Sequence, residues 1–210
     1  GMEANRILLV VDDVKMNNAI YRSGHLQNII TVDPDLLNEL EVIYGPASVL
    51  YGSDAMGGVI HMKTIQPRLS VNLPGKVHGQ FSTGYGTAAH EYGAHLDVNF
   101  GNSKIAALVS AGFKHFGDLR QGSVRQENYS DWGKNFYYVE RQGGIDKMIA
   151  NSNPLIQKRS GYDQHDLMAR VKYQPIANLI FNLNMQYSAS GNINRYDRLS
   201  EYKGQNLRYA

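Results

Sequence analysis

Gly45–Thr64, GPASVLYGSDAMGGVIHMKT, decides how the rest of the chain is read. Gly45-Pro46 marks an entry: glycine permits unusual backbone angles and proline presets the first helical position. Pro46 to Tyr51 carries alanine, valine and leucine at helical spacing. Gly52 then stops the helix as a residue just past its C-cap would. Gly57-Gly58 turns the chain, and Val59, Ile60, Met62 and Ile65 begin an extended run. The spacing Gly52-x4-Gly57 is that of a phosphate loop. The next residues are Gly58 and Val59, however, where such a loop needs lysine and then serine or threonine. Without the lysine there is no charge for a β/γ-phosphate, and no G-x-S-x-G nucleophile elbow is present either. On chemistry alone the stretch is a structural corner.

At 210 residues the chain could form one or two domains. A net charge of +2 and a pI near 8.7 are too balanced to imply a nucleic-acid partner. The absence of cysteine removes disulfides, thiolate metal sites and cysteine nucleophiles. No apolar run approaches the roughly 18 residues of a spanning helix, and mean hydropathy is −0.39. Any membrane crossing must therefore be made by strands. A composition with 14 tyrosines, 21 glycines and 6 prolines suits an outer-membrane barrel, and suits a soluble β-sandwich equally.

Upstream of the corner, Arg6–Val11 is apolar on both faces and predicts a buried strand. Val14–Gln27 has no clean period and predicts a loop or hairpin excursion. Asp33 as N-cap and Pro34 at the first position predict a short helix with Leu36, Leu37 and Leu40 on its apolar face. Glu41–Tyr44 is the next strand. Residues 6–66 thus read as a small α+β unit, and Leu69–Lys76 as a linker.

Beyond the linker the period changes to two. Val77, Gly79, Phe81, Thr83 and Tyr85 oppose His78, Gln80, Ser82 and Gly84. Tyr92, Ala94, Leu96, Val98 and Phe100 oppose Gly93, His95, Asp97 and Asn99. Ile105–Phe113 alternates less cleanly, and Leu167–Tyr173 alternates in the same way. From Leu179 to Tyr187 the alternation is nearly strict, which means one wet and one apolar face. Short turns at Gly101–Ser103 and Gln174–Asn178 contrast with a chain that wanders from about 117 to 162. Short turns on one side and long loops on the other is the asymmetry of outer-membrane barrels; the short Tyr85–Tyr92 link is an exception.

Glu41–Ile60, EVIYGPASVLYGSDAMGGVI, resembles the signature of the plug domain of TonB-dependent outer-membrane receptors. Val10–Asn17, VVDDVKMN, is similar to that family's strand followed by D-G-V-x-x-N. The resemblance implies a fold class of α+β plug subdomain followed by an antiparallel β-meander, part of a transmembrane β-barrel of about 22 strands. It implies a plug over 1–68, a linker over 69–76, and the first five or so barrel strands over 77–210, with a long extracellular loop near 117–162. The chain is then expected to be an internal fragment, truncated at both ends, of an outer-membrane receptor importing an iron complex (haem or a ferric siderophore) or a similar scarce nutrient. The segment Tyr44-Gly45-Pro46-Ala47-Ser48 lacks the K-D-A-S of glycan importers and resembles the siderophore, haem and cobalamin branch. Family plugs usually carry arginine where Tyr44 stands, which puts the usual plug–barrel ion lock in doubt.

The residues the resemblance places at ligand are Tyr21, Arg22 and His25, in the loop MNNAIYRSGHLQN of Met16–Asn28. Ser23–Gln27 resembles the G-H-L segment of haem-receptor plugs, which makes His25 an iron ligand for haem; imidazole suits that role and the Tyr21 phenolate is a second candidate. No intrinsic cofactor is expected; haem or a ferric siderophore would be cargo. The implied partners are the TonB complex and the outer membrane, with no nucleic acid. Open strand edges would let the chain self-associate. Enzyme chemistry is not expected: His90-Glu91-x-x-x-His95 misses the zincin spacing by one residue, and no Ser/His/Asp set is locally recognisable. The alternative reading is a soluble β-rich domain that binds carbohydrate or protein.

Overall fold

The structure is a computed structural model, and it describes residues 7–16, 32–45, 48–52, 55–70, 75–193, 202–203 and 206–207. The N-terminal elements are β1 (Ile7–Val11), β2 (Val14–Lys15), β3 (Leu37–Tyr44), α1 (Ser48–Tyr51) and β4 (Gly58–Thr64). They form a four-stranded sheet in the order β2-β1-β4-β3. Strand β1 runs parallel to β4, and β3 runs antiparallel to it. The continuous apolar run of β1 is explained by burial on both faces. Leu8 and Val10 pack with Ala55 and Val59, while Leu9 and Val11 pack with Met62.

The corner behaves as its residues dictate. Gly52 follows α1 with φ +92°. Gly58 has φ +144°, and a Cβ there would lie 2.7 Å from the Ile43 carbonyl oxygen. Only glycine lets β4 enter this close to β3. The helix expected over Leu36, Leu37 and Leu40 is replaced by a single 3₁₀ turn, Pro34–Leu36. Asp33 caps it, accepting from the Asp35 N–H at 3.0 Å. Leu37 is already extended, and Leu37 and Leu40 belong to β3, where their backbones pair with Thr64 and Met62. The ladder with β4 outweighs a helical period of three leucines, because strand pairing satisfies the backbone over the whole segment. Across the same ladder Lys63 donates to Glu39 at 3.2 Å. That bond and the Glu39 charge raise the lysine's pKa, so the pair is intact at neutral pH and is lost only as pH rises through the raised value.

After this sheet come the long strands β5 (Lys76–Gly86), β6 (Glu91–Gly101) and β7 (Ile105–Phe116). Four short strands follow: β8 (Leu119–Arg120), β9 (Tyr137–Gln142), β10 (Ile145–Ala150) and β11 (Ile156–Gln157). Two more long strands, β12 (Tyr162–Ile176) and β13 (Leu179–Ser190), complete a five-stranded sheet ordered β13-β12-β7-β6-β5. The chain divides into two compact units, one of residues 1–81, 95–112 and 166–189, the other of residues 82–94, 113–165 and 190–210.

In the first unit the long strands have an inverted distribution. On β7, Ala106, Leu108 and Ser110 are buried, while Ile105 and Val109 are exposed. On β12, Asp166, Met168 and Arg170 are buried, while Leu167 and Val171 are exposed. On β13 Phe181, Leu183 and Met185 are exposed, as are Asn182, Asn184 and Gln186 between them. The buried face meets the N-terminal elements through a cluster of Leu36, Leu108 and Met168, with Ile65 packed on it. On β7 and β12 polar side chains thus share the buried face with Ala106, Leu108 and Met168, and the exposed residues named on the other face are apolar.

In the second unit, the stretch expected to wander is folded. Strands β9 and β10 form an antiparallel hairpin, and β8 pairs with β11. Polar side chains organise it. The Asn151 amide donates to the carbonyls of Asn135 and Ile156, both at 2.8 Å. Asp118 accepts from the backbone of Ser160 and Gly161. Phe116 stacks on Tyr162 with ring centroids 4.7 Å apart.

The β1–β2 turn yields a stability test. Val11 pairs with Val14 across the two-residue turn Asp12-Asp13, whose φ values are +47° and +67°. Such turns favour glycine at the second position. Asp13→Gly is expected to stabilise the protein by about 1 kcal/mol, seen as a higher denaturation midpoint. A lower midpoint would mean that the Asp13 carboxylate, 3.4 Å from His61 Nε2, outweighs the backbone cost.

Candidate functional site

Tyr21, Arg22 and His25 lie outside the described residues. Within the described residues, buried ionisable side chains meet at two junctions between the N-terminal elements and the buried face of the long strands.

The first junction is centred on Asp12, in the β1–β2 turn. Its Oδ1 accepts from the Thr64 N–H at 3.0 Å, and its Oδ2 accepts from the Thr64 hydroxyl at 2.9 Å. Arg170 of β12 donates to the same Oδ2 through Nη2. Its Nη1 also reaches the Ile65 carbonyl at 3.4 Å. The Arg170 side chain is 5% exposed and that of Asp12 14%. The pair therefore sits where the dielectric is low and each charge depends on the other. An ion lock is present here although Tyr44 replaces the arginine that the resemblance led one to expect, and its polarity is carboxylate on the N-terminal side and guanidinium on the strand. Tyr44 itself is exposed.

The second junction is centred on Asp33, the cap of the 3₁₀ turn. Its Oδ2 lies 3.2 Å from His95 Nδ1 on β6, and His95 Nε2 lies 3.2 Å from the Ser110 hydroxyl on β7. With Nδ1–H donating to Asp33, Nε2 is left to accept from Ser110. Gly112, next on the same face of β7, makes the room. A Cβ there would lie 2.7 Å from Asp33 Oδ2 and 3.4 Å from His95 Nδ1. Asp, His and Ser are connected in the order of a hydrolase triad. All three are buried, His95 at 4% and Ser110 at 2% exposure, so an acyl substrate has no approach to the hydroxyl. Asp33, Asp35 and His95 also bring ligand atoms within 4.8 Å of one another, a set that suits a divalent cation. The bonds already made by Asp33 Oδ1, to the Asp35 N–H, and by Oδ2, to His95, make the group a hydrogen-bonded latch.

No local signal in the sequence points to these groups. Asp12 and Arg170 are 158 residues apart, and Asp33 and His95 are 62 apart. His95 stands out in the sequence only as one of a histidine pair at the wrong spacing for zinc. What marks the junctions is a polar residue on a strand face that the fold turns inward.

In the second unit a cavity of about 650 Å³ opens in the stretch between β8 and β9. Val124, Arg125, Tyr129 and Trp132 line it, with Gln121 and Gln126.

Residues 1–59 match the family model described as the TonB-dependent Receptor Plug Domain. The chain is 30% identical over 122 residues to a hemin receptor of Yersinia enterocolitica, covering 58% of this chain and 17% of that protein. It is 25% identical over 181 residues to the ferrioxamine B receptor of Salmonella typhimurium, covering 86% of this chain and 24% of that one. The chain thus spans less than a quarter of the length of these relatives. Among solved structures, the siderophore receptor PirA of Acinetobacter baumannii superposes with a TM-score of 0.58 at 17% identity, over 92% of this chain and 25% of that one. At that identity the likeness is one of fold.

Two substitutions test the junctions. Arg170→Ala strands the Asp12 carboxylate and is expected to cost about 3–5 kcal/mol in chemical denaturation. Combining Arg170→Met with Asp12→Asn should restore much of that loss; an additive double mutant would show that the two side chains are not coupled. Gly112→Ala is expected to cost about 1–3 kcal/mol by overpacking against Asp33, and an unchanged midpoint would refute the close approach.

Proposed function

We propose, for a chain that belongs to the TonB-dependent receptor family, that it is part of an outer-membrane receptor importing an iron complex, haem or a ferric siderophore. Residues 1–68 are the later part of the plug, 69–76 a linker, and 77–210 the first strands of a barrel of about 22. The stretch near 117–162 is an extracellular loop. The chain is then an internal segment of a longer receptor. TonB supplies the energy that displaces the plug, and the Asp12–Arg170 and Asp33–His95 contacts are among those that hold it.

The observation that carries this reading is the inverted burial of the long strands. On β7 and β12, Ser110, Asp166 and Arg170 are buried while Val109, Leu167 and Val171 are exposed, and on β13 Phe181, Leu183 and Met185 are exposed. Lipid covers such a face in a barrel. A soluble domain that binds carbohydrate or protein would bury it. The hemin and ferrioxamine B receptors among the relatives support an iron complex as cargo. Tyr21, Arg22 and His25 are the proposed contacts to that cargo, and the His25 imidazole would serve as an axial ligand to haem iron.

Titrating the receptor with haemin, ferrioxamine B and cobalamin tests the cargo. Haemin or the ferric siderophore is expected to bind, and His25→Ala should shift the Soret band and weaken haemin binding. Binding of cobalamin alone would refute the iron reading, and an unchanged Soret spectrum would remove His25 from the site. Because β5 and β13 form the open edges of the sheet, the 210-residue chain alone is expected to self-associate in water. A monodisperse monomer by light scattering would contradict that.

A further inference from the structure

We infer that the cavity in the first unit between residues 66–70 and the start of β5 is a site for a small, soluble anion of the phosphate class. The inference goes beyond the iron-complex reading. It uses the barrel of that reading and is independent of its cargo.

The cavity has the size of a small-molecule site, about 460 Å³. Arg68, Lys76 and His78 line it, with the amides of Gln66, Gln80 and Asn99, and no carboxylate does. The three basic residues are exposed. None of them forms an ion pair among the described residues. The acid nearest Asn99 in sequence, Asp97, lies outside the lining, with its Oδ2 4.0 Å from His95 Nε2. Like charges gathered without a counter-charge repel one another, and a bound anion relieves that cost.

Backbone contacts fix the cradle before any ligand enters. The Arg68 N–H donates to Asn99 Oδ1 at 2.9 Å, and the Ser70 N–H donates to the Asn102 carbonyl at 3.0 Å. A Cβ on Gly101 would run into the Arg68 carbonyl oxygen, so the segment lies directly on β6. The charges then come from two directions, a guanidinium from this segment and an ammonium and an imidazole from alternate positions of β5. A carboxylate is a single charge with its oxygens in one plane, and one guanidinium satisfies it. A phosphate group spreads more charge over tetrahedral oxygens and takes a guanidinium, an ammonium and amide donors together. Lys76, His78 and Gln80 alternate with Val77 and Phe81, the exposed apolar residues of the opposite face. Acyl chains cover that opposite face in a barrel, so a lipid headgroup does not reach the cavity and a soluble phosphate does.

Pyrophosphate and inorganic phosphate are the probes, titrated into the cargo-free receptor in detergent and followed by phosphorus NMR line broadening. Both are expected to bind, pyrophosphate the more tightly. Arg68→Gln and Lys76→Gln are each expected to weaken pyrophosphate about tenfold. Gln80→Glu is expected to weaken it about threefold, and Gln80→Lys to strengthen it by a similar factor. Lys104 is exposed in the turn after β6 and lies outside the cavity, so Lys104→Gln is expected to leave binding unchanged. Dioleoyl phosphatidic acid in the micelle is expected not to displace pyrophosphate. The inference is overturned if the wild type binds neither probe, or if Arg68→Gln and Lys76→Gln bind pyrophosphate as the wild type does. It is equally overturned if Lys104→Gln weakens binding as much as they do, or if phosphatidic acid displaces the probe. Absence of phosphate binding in a receptor that takes up haemin or ferrioxamine B sinks this inference alone. Phosphate binding by a receptor that takes neither leaves it standing and removes the iron reading.

Discussion

Two carboxylates taken out of water, Asp12 and Asp33, set the terms for the first unit. Neither is solvated enough to be left alone, and each finds an ionisable partner on a long strand. Asp12 meets Arg170 and Asp33 meets His95. A buried charge without its partner is costly. The position of the N-terminal elements on that face is therefore specified by charge as well as by the contact of Leu36 with Leu108 and Met168. A junction of this kind suits a part that has to be held firmly and later displaced, because polar contacts broken in sequence can be rehydrated as they open, whereas a purely apolar interface offers no such substitution.

The same polar face accounts for the other side of the strands. In a period-two element, turning Ser110, Asp166 and Arg170 inward obliges Val109, Leu167 and Val171 to point out. The apolar exterior follows from that obligation and from the sequence's refusal to place polar residues there. Solvent is a poor neighbour for such a face, and lipid is a good one. The edges of β5 and β13 carry unpaired backbone groups for the same sheet, which further strands of a closed barrel would satisfy.

Much of this was legible in the sequence, and unevenly. Strand β1, the corner from Gly45 to Thr64 and the five alternating strands are written in local periods and in glycine and proline positions. The helix expected through Leu37 and Leu40 failed because pairing with β4, a partner some two dozen residues away, overrides a short local period. The stretch after β7 looked unstructured because its hairpin and short strands are held by Asn151 and Asp118, polar side chains that leave no hydrophobic pattern. The junctions were not legible at all. Tyr44, where the resemblance implies an arginine, is exposed, and a separate ion pair joins Asp12 and Arg170, each of which has an ordinary local explanation as a turn or a strand residue.

The central claim is that the long strands have a lipid-facing apolar side and a covered polar side. It is tested most directly by nitroxide scanning along β13 in the receptor reconstituted into bilayers, one cysteine at a time from Ile180 to Tyr187, with oxygen and a water-soluble nickel chelate as relaxants. The account expects oxygen accessibility to oscillate with a period of two, with maxima at Phe181, Leu183 and Met185. Maxima for the nickel chelate at those three positions, or no oscillation at all, would contradict it.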